Sequence, residues 1–333
     1  TSGTQYENVM SVNCYGYSST EVKGLLSNIW NDVVQLNGVE AMVDFGVYSN
    51  TWGRPMYSES AGVLGLAQAN TTLDGAEGEL PPMLTTLLAA NGMADVFSLC
   101  LGDAVNVSDA DGSERSYGGY LQLGSSGESD VTDKNFAGYT DLVQDYLGWY
   151  WVDLQEIAVD ASKVSSAGGT LMPPVSVQSL SMYTATIIDS GNAVLSLKLE
   201  EYNGVLSQLQ QVPFVGLYQS TGAAWQRNTI AAYVGLTEGF DPSSVDIVFR
   251  FANSNKGAKV EVGVPLSYLL EFYYTSSGSD YYYLEYLGYS TAGTVLGDPF
   301  MRNVLIEFDR EDQRVGFTTG ANCSADYFLD DTN

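Results

Sequence analysis

Short runs of β-branched and aromatic residues, separated by Gly, Ser, Asn and Asp, recur along almost the whole chain. Ala41-Met42-Val43-Asp44-Phe45-Gly46-Val47-Tyr48, Gly119-Tyr120-Leu121-Gln122-Leu123-Gly124 and Val245-Asp246-Ile247-Val248-Phe249-Arg250-Phe251 are examples. Runs of this length bounded by turn formers predict strands, so the chain is expected to be mostly β. Helical spacing is rare, and two stretches show it most clearly. Pro82 to Asn91 places Leu84, Leu87 and Leu88 on one face, and Leu199 to Leu209 follows later.

The chain has 333 residues, 40 acidic and 13 basic side chains, and no His. The length is sufficient for one large or two medium domains with a real core. A net charge of −27 argues against nucleic acid and anionic membrane surfaces as partners. It fits solubility, or an acidic medium that neutralises many carboxylates. Without His, the chain cannot build a Ser-His-Asp triad, a Cys-His dyad or a His-ligated zinc site. Asp44-Phe45-Gly46 resembles a kinase metal-binding triplet. It lacks the accompanying phosphate and catalytic loops and is read as part of a strand. No apolar run is long enough for a membrane span. Sequons at Asn70, Asn106 and Asn322, with three Cys and scarce Lys, favour secretion and N-linked glycans.

Two motifs carry the chemistry. One is Thr186-Ile187-Ile188-Asp189-Ser190-Gly191. The other is Thr294-Val295-Leu296-Gly297-Asp298-Pro299-Phe300-Met301-Arg302-Asn303, continuing to Phe308-Asp309-Arg310 and Arg314-Val315-Gly316-Phe317. Together they resemble the second lobe of the pepsin-like aspartic peptidases. Gly62-Val63-Leu64-Gly65-Leu66 echoes Thr294-Val295-Leu296-Gly297-Asp298. In the family each lobe has one such strand, threaded beneath that lobe's Asp loop. Phe45-Gly46-Val47, Phe97-Ser98-Leu99-Cys100-Leu101, Gly118 to Gly124 and Trp149-Tyr150-Trp151-Val152 match further strands of the pattern. The resemblance covers residues 15 to 323. It implies an all-β, bilobal fold with a truncated N-terminal lobe at 1–148, a C-terminal lobe at 149–323 and an acidic tail at 324–333.

Proteolysis in this family needs two Asp-Thr/Ser-Gly loops, and the chain contains one. Applying the separation of Asp189 from Val295 to Val63 places the first Asp before Thr1. Asp189 is then either the second carboxylate of a dyad or an inherited structural residue. In a dyad, two carboxylates share a proton and a water, one acting as base while the other polarises the peptide carbonyl. Ser190 and Gly191 fit the loop, but Asn192 and Ala193 stand where the family has hydroxyl residues. The Asn192 amide is able to donate to the carboxylate, whereas Ala193 cannot replace a hydroxyl. Tyr17 corresponds to the flap tyrosine, with Thr20 at the flap-tip glycine, or else is an ordinary strand residue.

The resemblance also implies a Cys100–Cys323 disulfide, since both cysteines sit in family contexts. It leaves Cys14 to pair with an N-terminal segment or to stay a buried thiol. Tyr273, Tyr274, Tyr281, Tyr282, Tyr283, Tyr286 and Tyr289 crowd one stretch. They provide either a contact surface or aromatic pairs within a hairpin. Two functions follow. One is a secreted, catalytically incomplete pepsin-fold protein acting by binding or extracellular assembly. The other is the heavy chain of a two-chain acid endopeptidase, whose light chain supplies the first Asp. Either belongs outside the cell or in an acidic vacuole, and neither calls for a metal or other cofactor.

Overall fold

A computed structural model describes residues 4–6, 10–14, 22–36, 38–48, 65–68, 82–108, 114–124, 135–143, 148–164, 175–176, 186–213, 215–219, 232–237, 240–276, 279–284, 286–290, 293–302, 304–321 and 323. They are mostly strand, as the alternation predicts, and they form two compact units. Among them no helix is long and apolar enough to cross a membrane.

The first unit comprises Thr1–Asp95, Leu123–Ser125 and Asp145–Trp149. It contains β1 (Thr4–Tyr6), β2 (Met10–Cys14), β3 (Val22–Leu36), β4 (Val39–Tyr48) and α1 (Met83–Ala90). β3 pairs antiparallel with β1 and β2 and, by a tight hairpin through Gly38, with β4. Gly38 has φ of 82°, the left-handed conformation that such a hairpin requires and that glycine adopts without penalty. Asp44-Phe45-Gly46 lies within β4. In α1, Leu84, Leu87 and Leu88 are fully buried on one stripe. The helix ends at Asn91, whose Nδ2 donates to Leu87 O at 2.8 Å and to Glu40 O at 2.9 Å. One amide thereby closes the helix and ties it to β4. Gln68 is held twice, its backbone N–H by Gly148 O and its Nε2 by Trp149 O.

The second unit comprises Val96–Gln122, Ser126–Gln144 and Tyr150–Asn333. Its strands run β5 (Val96–Ser108), β6 (Glu114–Leu123), β7 (Phe136–Asp141), β8 (Tyr150–Val152), β9 (Leu154–Asp160), β10 (Val175–Ser176), β11 (Thr186–Ile188) and β12 (Leu195–Lys198). After α2 (Leu199–Leu209) come β13 (Val215–Gln219), β14 (Ala232–Thr237), β15 (Asp246–Phe251), β16 (Val260–Pro265), β17 (Glu271–Ser276), β18 (Ser279–Tyr283), β19 (Leu287–Ser290) and β20 (Val295–Leu296). A short α3 (Asp298–Met301) leads into β21 (Val304–Asp309) and β22 (Arg314–Thr319). The sheet orders are β10-β9-β15-β16, β19-β12-β20-β11-β8, β13-β14-β18-β17 and β6-β5-β21-β22-β7.

Alternation explains the core. Ile247, Phe249 and Phe251 of β15 point inward with Val260, Val262 and Val264 of β16, while Arg250 and Glu261 stay outside. Outside, the Arg250 guanidinium bridges Glu261 and Glu156, and Lys259 also reaches Glu156. Inside, Phe249 and Phe251 meet Phe300 edge to face, and Phe251 stacks on Phe317. β21 is buried along its whole length, so its two acids need partners. Tyr139 donates to Glu307 at 2.8 Å and Arg314 Nε to Asp309 at 2.9 Å.

Strand pairing in the second unit links residues on both sides of position 148. β5 pairs with β21, as Phe97 with Phe308 and Cys100 with Leu305, and β7 pairs with β22. Backbone pairing thus groups β5 and β7 with the C-terminal strands.

Cys100 and Cys323 form a disulfide with Cα atoms 5.2 Å apart, within the ordinary range. It is buried with Leu305 and Ala321. A Cβ on Gly102 would collide with the Cys323 backbone carbonyl, so the C-terminal segment lies flush on β5. The bridge closes a loop spanning 223 positions. Replacing both cysteines by Ala should lower the unfolding free energy by about 4 kcal/mol, read from denaturant unfolding with the m-value fitted separately for each form. A loss below about 1 kcal/mol would show that the bridge constrains little.

Candidate active site around Asp189

Asp189 sits at the end of β11, in a loop that returns through Ser190, Gly191 and Asn192 to β12. The loop exists because β20 runs between its two arms. β11 pairs with β20 in parallel, Ile187 beside Val295 and Ile188 beside Leu296. β12 pairs with β20 antiparallel through Ser196 and Val295. The Ile187 and Asp189 amides donate to Thr294 O and Leu296 O, each at 3.0 Å. Both arms of the Asp loop are therefore registered on one strand of two residues.

Gly297 makes the crossing possible. A Cβ there would clash with the backbone carbonyls of Asn192 and Val194. Only glycine lets β20 leave directly under the loop. The next residue, Asp298, donates its amide to Asn192 O at 2.9 Å, closing the underside.

Asp189 is half-buried and accepts the Gly191 amide on Oδ1 at 2.9 Å. Ser190 and Gly191 are exposed, so the tip of the loop faces solvent. Asn192 is buried, and its Nδ2 donates to Val194 O at 2.8 Å. That bond ties the loop's own backbone together. Ala193 is exposed and contributes no polar atom.

Sequence reasoning passed over Asp298 as a site residue, although it lies inside the quoted motif. Burial holds its carboxyl above the usual aspartate range, the Arg302 guanidinium opposes this, and the Asp189 charge adds to it. Two carboxylates thus share one field within this lobe. A carboxylate directly after an apolar-apolar-Gly strand that crosses an Asp loop is the signal that would have pointed to it.

The remaining candidates are dispersed. Tyr17, Thr20, Asn70 and Asn322 lie outside the described residues. So do the side chains of Cys14, in β2, Asn106, in β5, and Tyr273 and Tyr274, in β17. Tyr281, Tyr282 and Tyr283 occupy β18, between β14 and β17, and are half-buried. Tyr286 accepts the Leu195 amide on its carbonyl at 2.9 Å, beside the exit arm of the Asp189 loop. Tyr289, in β19, has its ring 6.1 Å from that of buried Tyr202. The crowded tyrosines are thus shared between two sheets. Among the described residues no group of three or more His, Cys, Asp or Glu is placed to hold a metal ion.

Because the folded chain holds a proton on Asp298 more tightly than the unfolded chain does, stability falls as pH rises above the ordinary aspartate range. Asp298→Asn removes that slope. Its melting temperature relative to the unsubstituted protein should therefore rise from about pH 3 to neutrality. An equal difference at all pH values would count against a raised Asp298.

The geometry comprises an Asp loop threaded by an apolar-apolar-Gly strand, followed by a short helix and the Phe308-Asp309-Arg310 strand end. A family model described as "Eukaryotic aspartyl protease" matches residues 1–320. No curated protein matches the chain. With a family match over nearly its whole length, the chain belongs to the eukaryotic aspartyl protease family.

Proposed function

We propose that these 333 residues act by binding or extracellular assembly rather than by hydrolysing peptides on their own. The supporting observation is the single Asp-Ser-Gly loop together with the use made of Asn192. Its amide is engaged with Val194 O, and Ala193 follows without a hydroxyl. A lone carboxylate acts as base or as acid, but not as both at once across a scissile bond. Asp298 does not serve as a second carboxylate in this reading, because its backbone is tied to Asn192 O on the underside of the same loop. The tyrosines of β17–β19 are the contact residues offered, as rigid aromatic area with hydroxyls.

A second reading is favoured by the intact Asp189 loop. With a first Asp supplied by a separate N-terminal segment tethered through Cys14, the same lobe would serve an acid endopeptidase. One assay series separates the two. The purified chain is tested on peptide substrates from acidic to neutral pH beside Asp189→Ala. No cleavage is expected from either. Pepstatin-sensitive cleavage lost in Asp189→Ala overturns the proposal. Cleavage that appears only on adding an N-terminal segment bearing Asp-Thr-Gly selects the two-chain enzyme.

Secretion, or delivery to an acidic vacuole, is part of the proposal. It rests on the sequons and the acidic composition. At least two of Asn70, Asn106 and Asn322 should carry glycan. Intact mass before and after enzymatic deglycosylation would then differ by at least two core glycans, and no change argues against a glycosylating route.

A further inference from the structure

We propose that Glu201 is a positioning residue for Asp189: its buried carboxylate locks β20 to the junction of β12 and α2. Glu201 is 4% exposed, at the third position of α2. Its Oε2 accepts the Thr294 hydroxyl at 2.5 Å and the Lys198 backbone amide at 3.1 Å. Oε1 lies 3.8 Å from Lys198 Nζ. Thr294 is fully buried and directly precedes β20. Its carbonyl receives the Ile187 amide two residues before Asp189.

The carboxylate thus joins the two arms of the Asp189 loop from beneath. Lys198 ends β12, the exit arm. Thr294 directly precedes β20, the strand on which the entrance arm is registered. β20 is two residues long, so its ladder alone gives it little hold along its own axis. A charge-assisted bond at its first end supplies that hold, and Gly297 under the loop supplies the other. A shift of β20 would move Leu296 O, and with it the Asp189 amide.

The simpler account is that Glu201 only caps α2, since Glu at this position commonly accepts the capping residue's amide. The two accounts diverge at Thr294, which takes no part in the cap. The inference rests on reading Asp189 as the functional carboxylate. Its test follows backbone and proton rather than peptide, so either reading can fail while the other stands.

The test compares Thr294→Val, Thr294→Ala, Thr294→Ser and Gln208→Met in the full chain. Gln208 lies on the same helix and accepts the Val159 amide at 2.7 Å, away from β20. Site-resolved amide exchange is read at Ile187, Asp189 and Gly191, and the Asp298 carboxyl is titrated by NMR. In Thr294→Val the three amides should exchange about tenfold faster relative to those within α2. The Asp298 midpoint should shift as the Asp189 charge moves, while burial still holds it above the ordinary aspartate range. Thr294→Ser should restore both readouts. Gln208→Met should speed exchange at Val159 alone. Loop exchange unchanged in Thr294→Val, or accelerated equally in Gln208→Met, overturns the proposal. If Thr294→Val does not fold, Thr294→Ala removes the same hydroxyl with a smaller side chain and is read against Thr294→Ser in the same way.

Discussion

The contact on which the second unit's site depends is that of a backbone with a backbone. Where β20 ends, Gly297 lies against the carbonyls of Asn192 and Val194 with no room for one more carbon. Nothing in that approach is attractive in itself. It is tolerated because the surrounding amides are satisfied by it: Asp189 N on Leu296 O, Asp298 N on Asn192 O, Phe300 N on Gly297 O. The loop, the strand beneath it and the short helix after it form one closed set of backbone hydrogen bonds. The Asp189 carboxylate takes its place from that set, with the Gly191 amide as its local anchor.

Local structure was the most legible part of the sequence. Runs such as Ile247 to Phe251 and the stripe Leu84, Leu87 and Leu88 declare their element and inner face by period alone. The Asp189 and Leu296-Gly297 motifs were legible because a steric requirement admits few residues there. The joining of β5 to β21 was not, since Phe97 and Phe308 carry no mark of each other and no turn signal links them. Asp298 and Glu201 were hidden for another reason. Their roles arise from neighbours distant in sequence, Asp189 in one case and Thr294 in the other. A carboxylate at a helix start or after a glycine reads as an ordinary surface residue until those neighbours are in place.

The chain also shows how an acidic protein handles buried acids with few cations to offer. Glu201 is served by a threonine hydroxyl and a backbone amide, with the nearest ammonium 3.8 Å away. Glu307 takes a tyrosine hydroxyl, and Asp309 takes the Arg314 guanidinium and the Asp312 amide. Arg314 further lies 4.0 Å over the Tyr139 ring, so the phenol that serves one acid supports the cation that serves the other. Asp298 differs in that burial holds its proton more tightly, with the Arg302 guanidinium opposing this and the Asp189 charge adding to it.

The sheet β6-β5-β21-β22-β7 interleaves strands from opposite ends of the second unit, and this sets a timetable for synthesis. β5, β6 and β7 leave the ribosome long before the strands that fill the gap between β5 and β7. Until β21 and β22 emerge, two apolar strand edges wait unpaired, and local folding cannot relieve them. The sheet is completed only when its two central strands arrive together as a hairpin. This sheet therefore cannot close before Val304 to Thr319 have been made, and a ribosome stalled before Val304 holds a chain whose sheet has no middle.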